Sequence, residues 1–377
     1  MKRVLSILIL ATLTLTTYGA ESNDPLTFTS GNTTFKFGGF INLTIGKYLD
    51  GATTTGKDFP SSAISMTPSA DDLNRLQFDP SSTRLSFQLI QSTQSVGDIK
   101  LYVETDFRGT SNTLVLRIAT AELMGFTIGQ TWSNMTDLAA TAPTVDLPGA
   151  NSRTFFRTPQ IAYRHNISEC FTLGAAIESP VYNLADATTP EISTPDFILL
   201  AQTKGKIGHL KAAAVWRTIP YLYNDNVEHQ NGWGVQLSGS LKAAKPLTLY
   251  SQAIYGQNIS KYINDLSLLS YDLLETTNSA KRLSAPMYGA SVGAKGVITE
   301  KWSVATNISK AQIDIDESYA GNIDDTYKIA TYLSVATFYY PIKKLMLGLE
   351  YLNGTRKNYD GSKGDAQRMN LIFRYSF

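Results

Sequence analysis

Between residues 98 and 108 the charged side chains recur at every second position. Lys100, Tyr102, Glu104, Asp106 and Arg108 share one parity; Leu101, Val103 and Phe107 share the other. The same alternation sets Arg84, Ser86 and Gln88 against Leu85, Phe87 and Leu89. It sets Val115 and Arg117 against Leu114, Leu116 and Ile118. Lys36, Asn42 and Thr44 oppose Phe35, Phe37, Ile41, Leu43 and Ile45, and Gln160, Arg164, Lys211, Arg217, Arg368 and Arg374 extend the polar set. The chemistry these residues offer is electrostatic rather than covalent. Rows of Arg lower the energy of an anion in a narrow passage, and one guanidinium can grip a carboxylate through two parallel hydrogen bonds. On this reading Lys36, Arg84, Lys100, Glu104, Arg108, Arg117, Arg164, Arg368 and Arg374 line a pore and meet its solutes. Inward bases outnumber the inward acids that can be placed, Glu104, Asp106 and Glu350, so the pore is expected to prefer anions. A competing reading pairs the charges, as Lys100, Glu104 and Arg108 could, and makes them stiffeners of a wall.

A second group sits in the connection 132–157, which is more apolar than a solvated loop should be. Folded into the pore, it would set Asp137, Asp146, Arg153 and Arg157 as opposed charges at a constriction. Packed instead on the rim or on a neighbouring subunit, it would leave the pore open.

Catalysis finds little support. His165, His209 and His229 are the three histidines, and none has metal-ligand spacing to Cys or carboxylate. No cofactor or metal is expected. Cys170 stands alone and cannot form an internal disulfide, although an oxidising compartment would permit one.

What must position these side chains is a set of strands. Alternating segments fall at 33–48, 82–95, 98–108, 113–122, 124–131, 158–167, 169–180 and 195–204. They continue at 207–219, 231–243, 246–258, 284–299, 301–311, 327–340, 343–356 and 366–377. Each is close to the length a tilted strand needs to cross a bilayer, and their number is even. Long connections (49–81, 132–157, 181–194, 220–230, 259–283, 312–326, 357–365) alternate with short ones such as Val96-Gly97, Met124-Gly125 and Gly205-Lys206. That parity puts both termini at the periplasmic side. The final strand carries Met369, Leu371, Phe373, Tyr375 and the terminal Phe377 on one face, with Ile372 the exception on the other. Aromatic residues near strand ends (Tyr48, Tyr163, Phe171, Trp216, Trp302, Tyr339, Tyr340, Tyr351, Tyr375) fit interfacial belts. The fold class is therefore all-β: a transmembrane antiparallel β-barrel of about 16 strands whose third loop folds inward.

The N-terminus agrees. Met1-Lys2-Arg3 precedes an apolar stretch from Val4 to Leu15 and small residues up to Ala20, the pattern of a cleaved signal peptide over 1–20. A short segment, 21–32, then leads into a barrel domain, 33–377. The mean hydropathy is −0.12, and no later run approaches the roughly 20 apolar residues of a membrane helix. Loss of Lys2 and Arg3 takes the formal charge from +1 to −1, which gives no sign of nucleic-acid partners. Paired acids at Asp71-Asp72 and Asp324-Asp325 read as solvated loop charge.

Several stretches together resemble the DcaP-like family of trimeric outer-membrane porins. They are Phe37-Gly38-Gly39-Phe40-Ile41, Arg84-Leu85-Ser86-Phe87 and Tyr102-Val103-Glu104-Thr105-Asp106-Phe107. Gly129-Gln130-Thr131-Trp132-Ser133, Asp137-Leu138 and Arg157-Thr158-Pro159-Gln160-Ile161 with Tyr163 follow. Leu347-Gly348-Leu349-Glu350-Tyr351, Gly354, Arg368 and Tyr375-Ser376-Phe377 complete the set. The resemblance implies a homotrimer in the outer membrane, passive diffusion of small anionic solutes such as dicarboxylates, and insertion by the barrel assembly machinery through the Phe377 strand. Phe40 and Asn42 stand where that family typically has Tyr and Lys, which removes one lumen cation. A general or sugar porin, and a structural barrel without transport, are the alternatives.

Overall fold

The computed structural model describes residues 26–69, 72, 75–182, 184, 194–223, 226–276, 282–316, 319–321 and 323–377. The expected signal peptide, Asp71 and most of the connection 181–194 lie outside them. The described chain forms a closed antiparallel barrel of 16 strands. These are β1 (Thr33–Asp50), β2 (Arg84–Thr93), β3 (Gly97–Asp106), β4 (Val115–Leu123), β5 (Phe126–Trp132), β6 (Arg157–Asn166), β7 (Phe171–Glu178) and β8 (Asp196–Gly205). There follow β9 (Gly208–Tyr223), β10 (Asn226–Ala244), β11 (Leu247–Gln257), β12 (Pro286–Val297), β13 (Trp302–Ile313), β14 (Tyr327–Ile342), β15 (Leu345–Asn358) and β16 (Lys363–Ser376). Every segment expected from the alternation overlaps one of them, with ends that differ by a few residues. Much of the stretch expected as a loop at 220–230 is strand, because β9 and β10 run on past the barrel rim.

Closure comes from β1. Phe40 through Asp50 pairs with β16 from Ser376 to Gln367, while Thr33 through Phe40 pairs with β2. One strand thus satisfies the backbone of both its neighbours and leaves no open edge, as hydrocarbon requires. A short strand, Thr27–Ser30, folds back on Thr33–Lys36, and Leu76–Asp79 pairs with Thr44–Lys47.

Outward residues form the lipid-facing surface: Leu101, Val103, Leu116, Ile161, Leu173, Leu237, Ile308, Leu349 and Leu371 are all exposed. Trp302 stacks on Tyr339 near the turn end, with ring centroids 4.5 Å apart. Tyr48, expected in an aromatic belt, instead points inward and packs on Phe59 and Tyr332 through the inner loops. Its even parity, shared with Asn42, decides this.

One bulge changes the wall. Glu104 pairs with Ile118, but the next rung joins Thr105 to Leu116, so Arg117 is an extra residue. Such an insertion reverses the side-chain parity across it. Arg117 and Ile118 therefore both point inward, and both are buried; the expectation that Ile118 faced lipid is corrected.

The barrel is not empty. Parts of loop 1 (51–83), loop 3 (133–156) and loop 6 (258–285) turn inside among the described residues. Phe59 and Ile64 of loop 1 pack on Tyr332, Leu352 and Ala366. Ala142 and Val145 of loop 3 meet Ala305, Ala336, Phe338 and Ile372, so the apolar inward Ile372 is a seat for that loop. Ile259, Tyr262, Ile263 and Leu266 of loop 6 join Met135, Ile198, Val215 and Ile254 in the largest core. Burying such side chains stabilises by about 1.5–3 kcal/mol each, enough to hold an otherwise irregular loop in the lumen.

Candidate functional site: the arginine wall and the loops that face it

Loop 3 is held at its start and near its tip by wall carboxylates. Glu178 on β7 accepts from the Asn134 amide at 2.6 Å and the Ser133 hydroxyl at 2.8 Å. Glu350 on β15 accepts from the Val145 and Asp146 amides at 3.2 and 2.7 Å. Between these anchors, the Asp137 carboxylate receives the Ser238 hydroxyl at 2.7 Å and lies 2.9 Å from His209 Nε2. Gln252 and Asn307 donate to carbonyls of Ala140 and Ala142. Loop 6 then lies along loop 3: the amides of Asn264 and Asp265 donate to Arg153 and Asn151 carbonyls, each at 2.9 Å. The two loops line the side of the lumen that runs from β7 to β15.

The opposite side carries the arginines. Arg117 is fully buried, with Nε 2.7 Å from Glu104 and Nη1 2.6 Å from Asp106. Arg84 reaches the same Glu104 at 3.5 Å. Arg108 joins Asp58 of loop 1 at 2.5 Å and Asp79 at 3.6 Å, and Lys57 reaches Asp79 at 3.9 Å. The pairing expected along one strand, Lys100–Glu104–Arg108, does not form. Residues four apart on a strand are about 13 Å apart, whereas a neighbouring strand brings Arg117 next to Glu104.

Two arginines that border the open spaces described below have no carboxylate at ion-pair distance among the described residues. Arg374 lies over the Phe40 ring, 4.4 Å from its centroid, and donates to Asn42 at 3.1 Å. Arg157 lies 4.8 Å over the Trp132 ring. Phe40 also carries Arg84, 5.0 Å from its centroid. The aromatic faces hold these cations by their ring quadrupoles without neutralising them.

A cavity of about 400 Å3 lies between wall and loops, lined by Arg108, Arg117, Arg157, Asp58 and Asp106 on one side. Leu147, Pro148, Phe155 and Leu268 of loops 3 and 6 line the other. It adjoins a narrower space bounded by Asn42, Asp79, Asp146 and Arg374, with Asp58, Arg108 and Leu147 common to both. Charges from several elements therefore converge on these two adjoining spaces.

The other proposed pore residues are placed as follows. Lys36 is exposed on β1, opposite Gln88, toward the turn end. Lys100 stands opposite Glu122. Arg164 donates to Asn134 Oδ1 at 2.9 Å and so touches the start of loop 3. Arg368 is buried, donates to the carbonyls of Gly56, Lys57 and Asp58, and lies over Tyr48; its contacts are those of a strut for loop 1. Within loop 3, Arg153 donates to the Leu147 carbonyl at 2.9 Å and stacks on Phe155, and burial lowers its guanidinium to about 10. Asp146 accepts from the amides of Phe59 and Gly149. Burial, with Glu350 nearby, pushes its carboxyl up to about 7.

Sequence reasoning missed several inward acids: Asp58 and Asp79 in loop 1 and its short strand, and Glu178 and Asp196 at strand ends. Glu178 shares the parity of buried Ala176, which was a legible signal. Asp196, Asp272, Arg217 and Lys261 form a buried ionic cluster beneath loop 6, with Arg217 3.1 Å from Asp272 and Lys261 2.8 Å from Asp196.

This architecture recurs in solved structures. The outer membrane channel DcaP of Acinetobacter baumannii superposes with a TM-score of 0.81 at 19% identity, covering 93% of this chain and 99% of that one. OmpT of Vibrio cholerae in a trimer form gives 0.60 at 11% identity, over 92% and 100%. An anion-selective porin from Comamonas acidovorans gives 0.59 at 10% identity, again over 92% and 100%. No curated protein matches the sequence. The family model described as the porin subfamily matches residues 32–368, nearly the whole of the barrel, and the chain belongs to that family.

Proposed function

We propose that this porin, an outer-membrane channel by family and fold, passes small anionic solutes of dicarboxylate type by passive diffusion. The observation that carries the reading is the residual charge of the wall. Arg84 and Arg117 share Glu104 and Asp106, and Arg108 and Lys57 share Asp58 and Asp79. What remains on these adjoining spaces is Arg157 and Arg374, uncompensated, against Asp146, whose carboxyl, raised to about 7, is only partly charged near neutrality. Two guanidinia lower the energy of an anion there, and each can take a carboxylate through paired hydrogen bonds. The anion-selective porin from Comamonas acidovorans has a similar barrel, which is consistent with this use of the fold.

The mutual neutralisation of the other charges favours one second reading, a general porin with no selectivity. A reversal potential in a planar bilayer under a salt gradient separates the two. Anion selectivity, with dicarboxylate-dependent current noise, supports the proposal; a potential at zero gives the general porin, and a cationic sign overturns the charge argument. Catalysis has no part in this reading. We further propose a homotrimer, export through a cleaved signal peptide over 1–20, and assembly through the Phe377 strand.

A further inference from the structure

Four lysines stand on the membrane-facing side of the barrel at its loop-bearing end. Lys357 of β15 and Lys363 of β16 are direct cross-strand partners. Lys328 occupies the register shift between Tyr327 and Ile329 on β14, and Ile329 pairs with Lys357. Lys310 lies on β13 in the next row down, which runs Lys310, Thr331, Thr355, Asp365. Below that row the wall turns apolar, with Ile308, Val335, Leu349 and Leu371 all exposed.

The acids along these strands neutralise the row only in part. Asp365 takes Lys363 at 2.7 Å, and Asp314 takes the Gln312 amide at 2.7 Å. Lys310, Lys328 and Lys357 have no carboxylate at ion-pair distance among the described residues. Lys310 lies over the Tyr288 ring at 5.8 Å and Lys328 over Tyr359 at 4.9 Å. The Tyr359 hydroxyl is itself fixed by donating to the Ile313 carbonyl at 2.9 Å.

Like charges directly opposite on a sheet are destabilising; Asp365 offsets Lys363 and more weakly Lys357, and the remaining charge of Lys310, Lys328 and Lys357 calls for an anion. Strand spacings put Lys310 and Lys357 about 12 Å apart, within the span of one large headgroup. We propose that this patch binds the phosphate headgroup of an anionic lipid in the outer leaflet, with the acyl chains lying on the apolar rows below. The arrangement is amphipathic along the membrane normal, as such a lipid is. A free phosphate would use the lysines and gain nothing from the wall beneath them. The site is separate from the pore and does not depend on what the pore conducts.

The test uses the full-length protein in detergent and native mass spectrometry with bisphosphorylated lipid A as the probe. Its dephosphorylated form and inorganic phosphate serve as comparators. The K310Q/K328Q/K357Q variant is expected to bind the phosphorylated lipid more weakly, by about fivefold per lysine removed. K301Q/K343Q/K344Q, which loses the same charge at the turn end, is expected to bind as the parent does. Equal binding by the first variant overturns the site, as does equal loss in both. Equal binding of the dephosphorylated lipid reduces the patch to an apolar surface, and displacement by millimolar phosphate reduces it to a free-anion site.

Discussion

The Asp146 amide at the tip of loop 3 donates to Glu350 on the far wall at 2.7 Å, across 204 residues of sequence. Glu350 takes three further donors, the Val145 amide, the Ser334 hydroxyl at 2.6 Å and the Asn370 amide. It is a socket, and the loop tip is its plug.

Replacing Glu350 with Ala strands these donors in a buried place. Each unsatisfied buried group costs about 1–3 kcal/mol, so E350A is expected to lower the thermal midpoint and release the tip. Single-channel recordings should then show larger, noisier openings. Unchanged conductance in a folded E350A barrel would mean that other contacts suffice to seat the loop.

The same contact gives a pH dependence. The Asp146 carboxyl is held at about 7, above its ordinary 3.8, by burial and by Glu350. An acid whose value is raised in the docked state binds its proton more tightly there than when released. Docking is therefore fully favoured below pH 3.8 and weakens as pH rises from 3.8 through 7. Current noise should be greater at pH 8 than at pH 5, and D146N should reduce that difference.

The barrel was legible in the sequence because membrane strands alternate with a strict period of two, and a terminal strand such as 366–377 keeps that period to its last residue. The inward side of Arg84, Glu104, Asp106 and Arg368 followed from the same period, whereas that of Glu178 and Asp196 at strand ends was missed. The partners did not follow. Arg368 spends its donors on carbonyls of residues 56–58, and nothing local announces a contact over some 310 positions. Nor did the alternation reveal the bulge at Arg117, because one inserted residue leaves the composition unchanged while turning Ile118 inward. Loop 3 betrayed its inward fold by apolar content; loop 6 carried the same signal in Ile259, Ile263, Leu266, Leu273 and Leu274, interleaved with Asp265 and Asp272, whose charges resemble those of a solvated loop.

Arg157 and Arg117 are neighbours in the same passage with opposite expected phenotypes. Arg157 stacks on Trp132 without a carboxylate, so R157Q is expected to shift the reversal potential toward cations with little loss of stability. R157Q/R374Q should shift it further. Arg117 compensates two buried carboxylates, and breaking such pairs costs about 3–5 kcal/mol, so R117A should unfold at a clearly lower temperature. Selectivity unchanged in R157Q/R374Q would refute the residual-charge argument.

Loop 6 supplies the last expectation. Arg217 is wholly buried; it bonds Asp272 at 3.1 Å and the carbonyls of Asn258 and Val181 at 2.9 and 2.6 Å. Asp272 in turn accepts both the amide and the hydroxyl of Ser260, each at 2.9 Å. The start of loop 6 is thus tied to β9 through one guanidinium. R217M takes from Asp272 the guanidinium that it accepts at 3.1 Å and should destabilise by about 3–5 kcal/mol. R217M/D272L removes both charges and is expected to recover part of that loss, since an uncompensated buried carboxylate costs more than an apolar pair. Loop 6 braces loop 3 through the Asn264–Arg153 and Asp265–Asn151 backbone bonds. Both variants should therefore widen the passage, read as raised conductance, although neither residue lines the arginine wall. A conductance equal to the parent's would show that loop 3 keeps its place without that brace.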